Sequence, residues 1–236
     1  MALVAYIAGC RGTLQNEARA YRYPPKYKID GNFDDWKSYQ TAQIANGFPW
    51  DKLVITPPYD GIMLKEFYYD SDDNYLYLFF KFKPTLQERY DKTHSSGALG
   101  YLYIDSDMDT NTGCTDFDTG GTSPIPGIVS GTSTIPGAEF QIYFPIGIYM
   151  NSAASGCYVA YEIKRWDSTA KSFAQTVRIA DSREGGTLIA HGKDGVEVAL
   201  LLTDFKLAKG SQISLAFWGN LFVPEEYVKR TTIQLK

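Results

Sequence analysis

An all-β fold, an antiparallel β-sandwich of jelly-roll-like type with about ten strands and long loops, is what this sequence predicts. Three observations carry that expectation. Aromatic residues make up 15% of the 236-residue chain, led by 18 Tyr and 13 Phe, and such residues suit a pleated, half-buried surface. Short apolar runs recur along the chain, separated by clusters of Gly, Pro, Asp, Asn and Ser, the punctuation of strands and turns. No long stretch carries the period of an amphipathic helix.

The elements follow in order. Tyr27-Lys28-Ile29-Asp30-Gly31 reads as a short strand entering a turn, and Asn32-Phe33-Asp34-Asp35-Trp36 as a helical turn. A weak helical pattern continues from Asp34 to Gln43, and Trp36 is expected to plug one end of the core. Residues 46–60 hold Gly47, Pro49, Pro57 and Pro58, so they form a loop, which carries Phe48 and Trp50. Ile62 to Tyr69 and Tyr75 to Phe82 flank the turn cluster Asp70-Ser71-Asp72-Asp73-Asn74 and form a hairpin. The second of these strands is apolar on both faces, which places it centrally. Leu99 to Ile104 ends in an acid-rich loop, and residues 119–137 are an irregular loop rich in Gly, Ser, Thr and Pro. Strands then run at Ala138–Phe144, Cys157–Trp166, Ser172–Ile179, Thr187–His191, Val196–Leu202, Ile213–Trp218 and Thr231–Leu235. A helical hint remains at Thr203 to Leu207.

The chain divides into residues 1–25, a leader and tether, and residues 26–236, one sandwich domain. Ile7-Ala8-Gly9-Cys10 resembles a bacterial lipobox, in which the cysteine thiol accepts a lipid, although the basic start of a signal peptide is missing. The alternative is a first strand with a buried cysteine. On the lipobox reading the protein is exported to the cell envelope and meets a membrane only through a lipid anchor at Cys10. Cys114 and Cys157 then remain as an even pair, a disulfide candidate in an exported protein. Net charge is −4 with no basic run, so no nucleic-acid partner is expected.

The acidic loop holds the first candidate site. Asp105, Asp107, Asp109 and Asn111 place oxygen side chains at alternate positions, with Asp118 beyond. Oxygen ligands spaced this way converge on a hard cation, and calcium takes six to eight of them. Asp107, Asp109, Asn111 and Asp118 match positions one, three, five and twelve of an EF-hand-like loop, though the flanks read as strand. Glu139 joins the set if its strand lies beside the loop. The competing reading is a solvated acidic turn.

Three ordered phrases resemble family 9 carbohydrate-binding modules and their DOMON-like relatives. Ile29-Asp30-Gly31-Asn32-Phe33-Asp34-Asp35-Trp36 resembles their opening "I-D-G-x-x-D-x-W" phrase. Tyr101 to Asp107, followed by Asn111-Thr112-Gly113, resembles their strand ending in an acidic loop, and Gly137-Ala138-Glu139-Phe140 the "G-x-E" strand after it. Gly195-Val196-Glu197-Val198-Ala199 resembles a late strand. Leu202-Thr203-Asp204 departs from the isoleucine–proline pair usual there, and the loop over residues 114–137 is long. The resemblance implies a sandwich, structural calcium and a carbohydrate ligand.

Sugar rings stack their C–H faces on aromatic planes, and their hydroxyls need polar partners. Trp50, Trp166 and Trp218 are the candidate ligand-binding residues, with Tyr69 a weaker one; any one tryptophan is more readily core packing. Catalytic motifs are absent: there is no G-x-S-x-G elbow and no P-loop. The expectation is a non-catalytic carbohydrate-binding domain. The alternatives are a glycan hydrolase using paired glutamates among Glu139, Glu162 and Glu197, and a structural or protein-binding envelope module.

Overall fold

From Tyr75 to Phe80 every side chain is buried, whichever face it points to. A strand apolar on both faces must be covered on both, and that requirement organises the molecule. The computed structural model describes residues 25–38, 43–44, 63–83, 97–114, 137–150, 155–184, 188–193, 195–218 and 230–236. The leader with Cys10, both long loops over residues 46–60 and 119–136, Trp50 and Asp118 lie outside the described residues.

A short helix, α1 (Asp34–Ser38), precedes the strands β1 (Gln43–Ile44), β2 (Met63–Ser71), β3 (Tyr75–Lys83) and β4 (Gly97–Asp105). Next come β5 (Phe140–Met150), β6 (Ser155–Asp167), β7 (Ser172–Asp181), β8 (Ile189–His191), β9 (Gly195–Leu201), β10 (Gln212–Trp218) and β11 (Arg230–Gln234). They form two antiparallel sheets, ordered β1-β2-β3-β9-β8 and β11-β10-β4-β5-β6-β7. The fold is an all-β sandwich. Two long-range pairings, β3 with β9 and β4 with β10, wrap the chain between sheets in the jelly-roll-like manner.

Pleat alternation sets the core. Phe67, Leu78, Phe80 and Val198 point inward from one sheet, and Leu102, Ile142, Phe144 and Leu215 from the other. Phe80 and Phe144 meet edge to face at 5.6 Å. Polar ties hold the margins. Buried Asp70 accepts hydrogen bonds from the Tyr27 hydroxyl at 2.8 Å and Lys26 Nζ at 2.6 Å. Lys236 Nζ lies 3.3 Å from its other oxygen. On β7, Arg178 pairs with Asp204 of the one-turn 3-10 helix Leu202–Phe205.

The opening phrase does not plug an end of the core. It lies across the outer face of the five-stranded sheet. Trp36 stacks on Tyr27 at 4.2 Å, Tyr27 meets Tyr77 edge-on at 4.9 Å, and Phe33 stacks on Phe79 at 4.3 Å. Those rings are why the outward residues of β3 are aromatic. The helix is shorter than the pattern suggested, because Gln43 and Ile44 pair with Tyr69 and Tyr68 of β2.

The expected disulfide is corrected by the register. Cys114 forms a bridge with Ala138, just before β5, while Cys157 pairs with Ile148 near the far end of β5. Ten residues of extended chain separate those partners, about 33 Å. A disulfide needs its Cα atoms within about 7 Å. Cys114 instead packs with Tyr103, Ala138 and Ala216.

Candidate functional site

Two features meet on the six-stranded sheet: the acidic loop after β4, and an aromatic strip on the sheet's outer face. The loop doubles back as a tight return. Cys114 N–H donates to the Ala138 carbonyl at 2.8 Å, Gly137 N–H to the Cys114 carbonyl at 2.9 Å, and Glu139 N–H to the Ile104 carbonyl at 3.0 Å. Gly113 and Gly137 have φ of +59° and +92°, so both need glycine. A Cβ on Gly137 would meet Asp105 Oδ2 at 2.9 Å, and one on Gly113 would meet Glu139 Oε1 at 2.6 Å. These two glycines let the carboxylates close up.

Carboxylate oxygens of Asp105, Asp107 and Glu139 lie within 4.8 Å of one another. Glu139 accepts from Ser106 N–H at 2.7 Å, Ser106 Oγ at 3.0 Å and Thr112 Oγ1 at 2.9 Å. Thr112 Oγ1 also sits 3.0 Å from Asp107 Oδ2. One hydroxyl proton serves one of those carboxylates at a time. Burial pushes the Glu139 carboxyl above its ordinary range, against its hydrogen bonds, and the Asp107 charge adds to the rise. An all-oxygen donor set with crowded negative charge fits a hard divalent cation. Asp109 and Asn111 turn elsewhere. Asp109 Oδ1 accepts from Asn111 N–H at 2.9 Å and Nδ2 at 2.8 Å, and these bonds hold the Asp109 carboxyl below the usual range. The pair shapes the turn, so the convergent set among the described residues is Asp105, Asp107 and Glu139.

Directly opposed residues in an antiparallel sheet share a face. Tyr103 pairs with Gln141 and Gln141 with Lys164; Tyr101 pairs with Tyr143 and Tyr143 with Glu162. All point away from the core. Tyr101 and Tyr143 stack at 5.0 Å, Tyr103 and Phe173 approach at 5.6 Å, and Trp166 meets Phe173 edge-on at 5.1 Å. Tyr103 is buried beneath this layer, while Tyr101, Tyr143, Trp166 and Phe173 stay half-buried. Gln141 Nε2 donates to the Tyr103 hydroxyl at 2.9 Å, and Thr176 Oγ1 to Glu162 at 2.9 Å. Burial raises the phenol pKa of Tyr101 and Tyr143. The loop and the strip are tied together, since Trp166 N–H donates to the Glu139 carbonyl at 2.8 Å.

No protein-family model, curated protein or solved structure matches this chain.

Of the aromatics singled out in the sequence, Trp166 lies on the strip. Trp218 is paired by register with Tyr101, and its side chain lies outside the description. Tyr69 does not belong there: it shares the inner face of β2 with Phe67, 6.3 Å away, and packs against the core. Tyr101, Tyr103, Tyr143 and Phe173 were missed. The available signal was period two, tyrosines at 101 and 103 with Gln141 and Tyr143 opposite, each alternating with apolar residues. Glu197 points into no cleft. It is fully buried beneath the opening phrase.

Proposed function

We propose that this protein is a non-catalytic carbohydrate-binding domain, carried by an exported protein lipid-anchored at Cys10, with calcium ordering the loop after β4. The observation that supports this reading is the aromatic strip on the outer face of the six-stranded sheet. The five-stranded sheet hides its outer face under residues 25–38, whereas half-buried Tyr101, Tyr143, Trp166 and Phe173 lie on the other. Gln141, Glu162, Lys164 and Thr176 stand among them. Aromatic faces with interspersed amide, hydroxyl and carboxylate groups match the mixed C–H and hydroxyl surface of a sugar.

A hydrolase with paired glutamates fits less well. Such enzymes set two carboxyl groups roughly 5 to 9.5 Å apart. Glu139 lies opposite Trp166, and Glu162 is four residues further along β6, about 13 Å. The Glu139 carboxylate is also turned to Ser106 and Thr112.

Affinity electrophoresis against a panel of immobilised glycans tests the reading. Wild type is expected to be retarded, and Tyr143→Ala or Trp166→Ala to weaken binding at least about tenfold. Turnover of a glycan that vanishes in Glu139→Gln would favour the hydrolase. No retardation by any glycan would leave the structural or protein-binding envelope module.

Calcium would be held by Asp105, Asp107 and Glu139 and would offset their mutual repulsion. At about one hundred times Kd it adds about 2.7 kcal/mol, or a rise in Tm of roughly 5–10 °C for a chain this long. The rise should reverse with chelator and disappear in Asp105→Asn. A Tm indifferent to calcium and chelator would remove the metal from the reading.

A further inference from the structure

Resting on the carbohydrate-binding reading, we propose that the ligand is a neutral linear glycan, bound as a run of sugars crossing the strands rather than as a single sugar. Tyr101, Tyr143, Glu162 and Ile179 are successive cross-strand partners on β4, β5, β6 and β7, so they form one straight row on the outer face. Three strand spacings make that row about 14 Å long, room for on the order of three sugar rings. Its far end is open. β7 is the edge of the sheet, and Ile179 is 57% exposed there, an apolar side chain that the core does not account for.

Charge decides the class of sugar. Among the described residues, the charged side chains beside the row come as internal pairs. Glu162 lies 3.3 Å from Lys164, and Asp181 pairs with Arg183, whose guanidinium also stacks 3.6 Å over the Tyr158 ring. Paired charges present dipoles, not a net field, and an acidic polysaccharide gains nothing from them. Uncharged hydroxyls, each able to donate and accept, are the groups such a surface satisfies.

Calorimetric titration of the whole chain tests this with cello-, xylo- and manno-oligosaccharides, from the monosaccharide to the hexasaccharide, and with polygalacturonate as the acidic arm. For one neutral series the affinity should rise at least about tenfold from monosaccharide to trisaccharide and then level off. Ile179→Asp, at an exposed position, should weaken the trisaccharide about tenfold. A monosaccharide that binds as well as the trisaccharide would overturn the extended row. Preference for polygalacturonate would overturn neutrality, and a trisaccharide indifferent to Ile179→Asp would overturn the placement; all three leave the carbohydrate reading standing. No binding of any sugar overturns both.

Discussion

Glu197→Ala is expected to destabilise the protein by about 3–5 kcal/mol, read as a lower denaturant midpoint with unchanged slope. Glu197 sits on β9 with no exposed surface and anchors the opening phrase. Its Oε1 accepts from Asp30 N–H at 2.5 Å and Gly31 N–H at 2.6 Å, and its Oε2 from Trp36 Nε1 at 3.1 Å. Alanine would leave three donors facing an apolar void, each costing about 1–3 kcal/mol if water cannot reach it. The same change unhooks the segment that covers Tyr77 and Phe79. A variant that loses less than about 1 kcal/mol would mean that water or another acceptor replaces the carboxylate.

The charge state of Glu197 gives this anchor a pH dependence with a definite sign. Burial pushes its carboxyl up from 4.5 to about 7, and the three N–H donors pull it back only in part. The folded chain therefore holds this proton more tightly than the unfolded chain does. The contribution is fully present below about pH 4.5 and is lost as pH rises to about 7, a swing of order 3 kcal/mol. Comparison with Glu197→Gln isolates the effect, because Glu139, Asp109 and the other shifted groups titrate in both proteins. The wild type should lose stability relative to the variant between those pH values, and parallel stability curves would contradict the assignment.

Strands were legible in the sequence wherever a period-two pattern ran between turn residues. β3 could be placed centrally because both of its faces are apolar. β1 could not be read, since Gln43 and Ile44 carry no pattern of their own and are extended only through pairing with Tyr69 and Tyr68. The acidic loop was half legible. Alternate oxygens mark both a cation loop and a chain of side-chain-capped turns, and Asp109 with Asn111 took the second course. Glu139 joined Asp105 and Asp107 because the register of β4 and β5 brought it there. The aromatic strip was hidden for a different reason. Alternation sorts residues onto two faces but does not say which sheet's outer face another segment covers. Residues 25–38 decide that question by packing on β3 and β9. An even cysteine count likewise carries no distance, and the register sets Cys114 and Cys157 far apart.

Asp204→Ala should cost about 3–5 kcal/mol as well, through the charge it strands. Arg178 is 5% exposed and projects from β7 toward the 3-10 helix after β9, where Nη2 donates to Asp204 Oδ1 at 2.8 Å and Nε donates to Oδ2. This two-point contact is the geometry in which Arg and carboxylate pair most strongly. It joins the edge strand of one sheet to the chain leaving the other, so it fixes how the two layers sit at that end. With Asp204 gone, the buried guanidinium loses its carboxylate partner, and less of its desolvation is compensated. Asp204→Asn keeps hydrogen-bond capacity without the charge and should lose less. The double variant Arg178→Met with Asp204→Leu removes both charges and should recover most of the loss, because buried pairs are costly to break and cheap to replace whole. Chemical denaturation of the wild type, Arg178→Met, Asp204→Leu and the double variant measures this as a double-mutant cycle. If the single and double variants are equally destabilised, the pair acts through shape alone, and the charge argument fails.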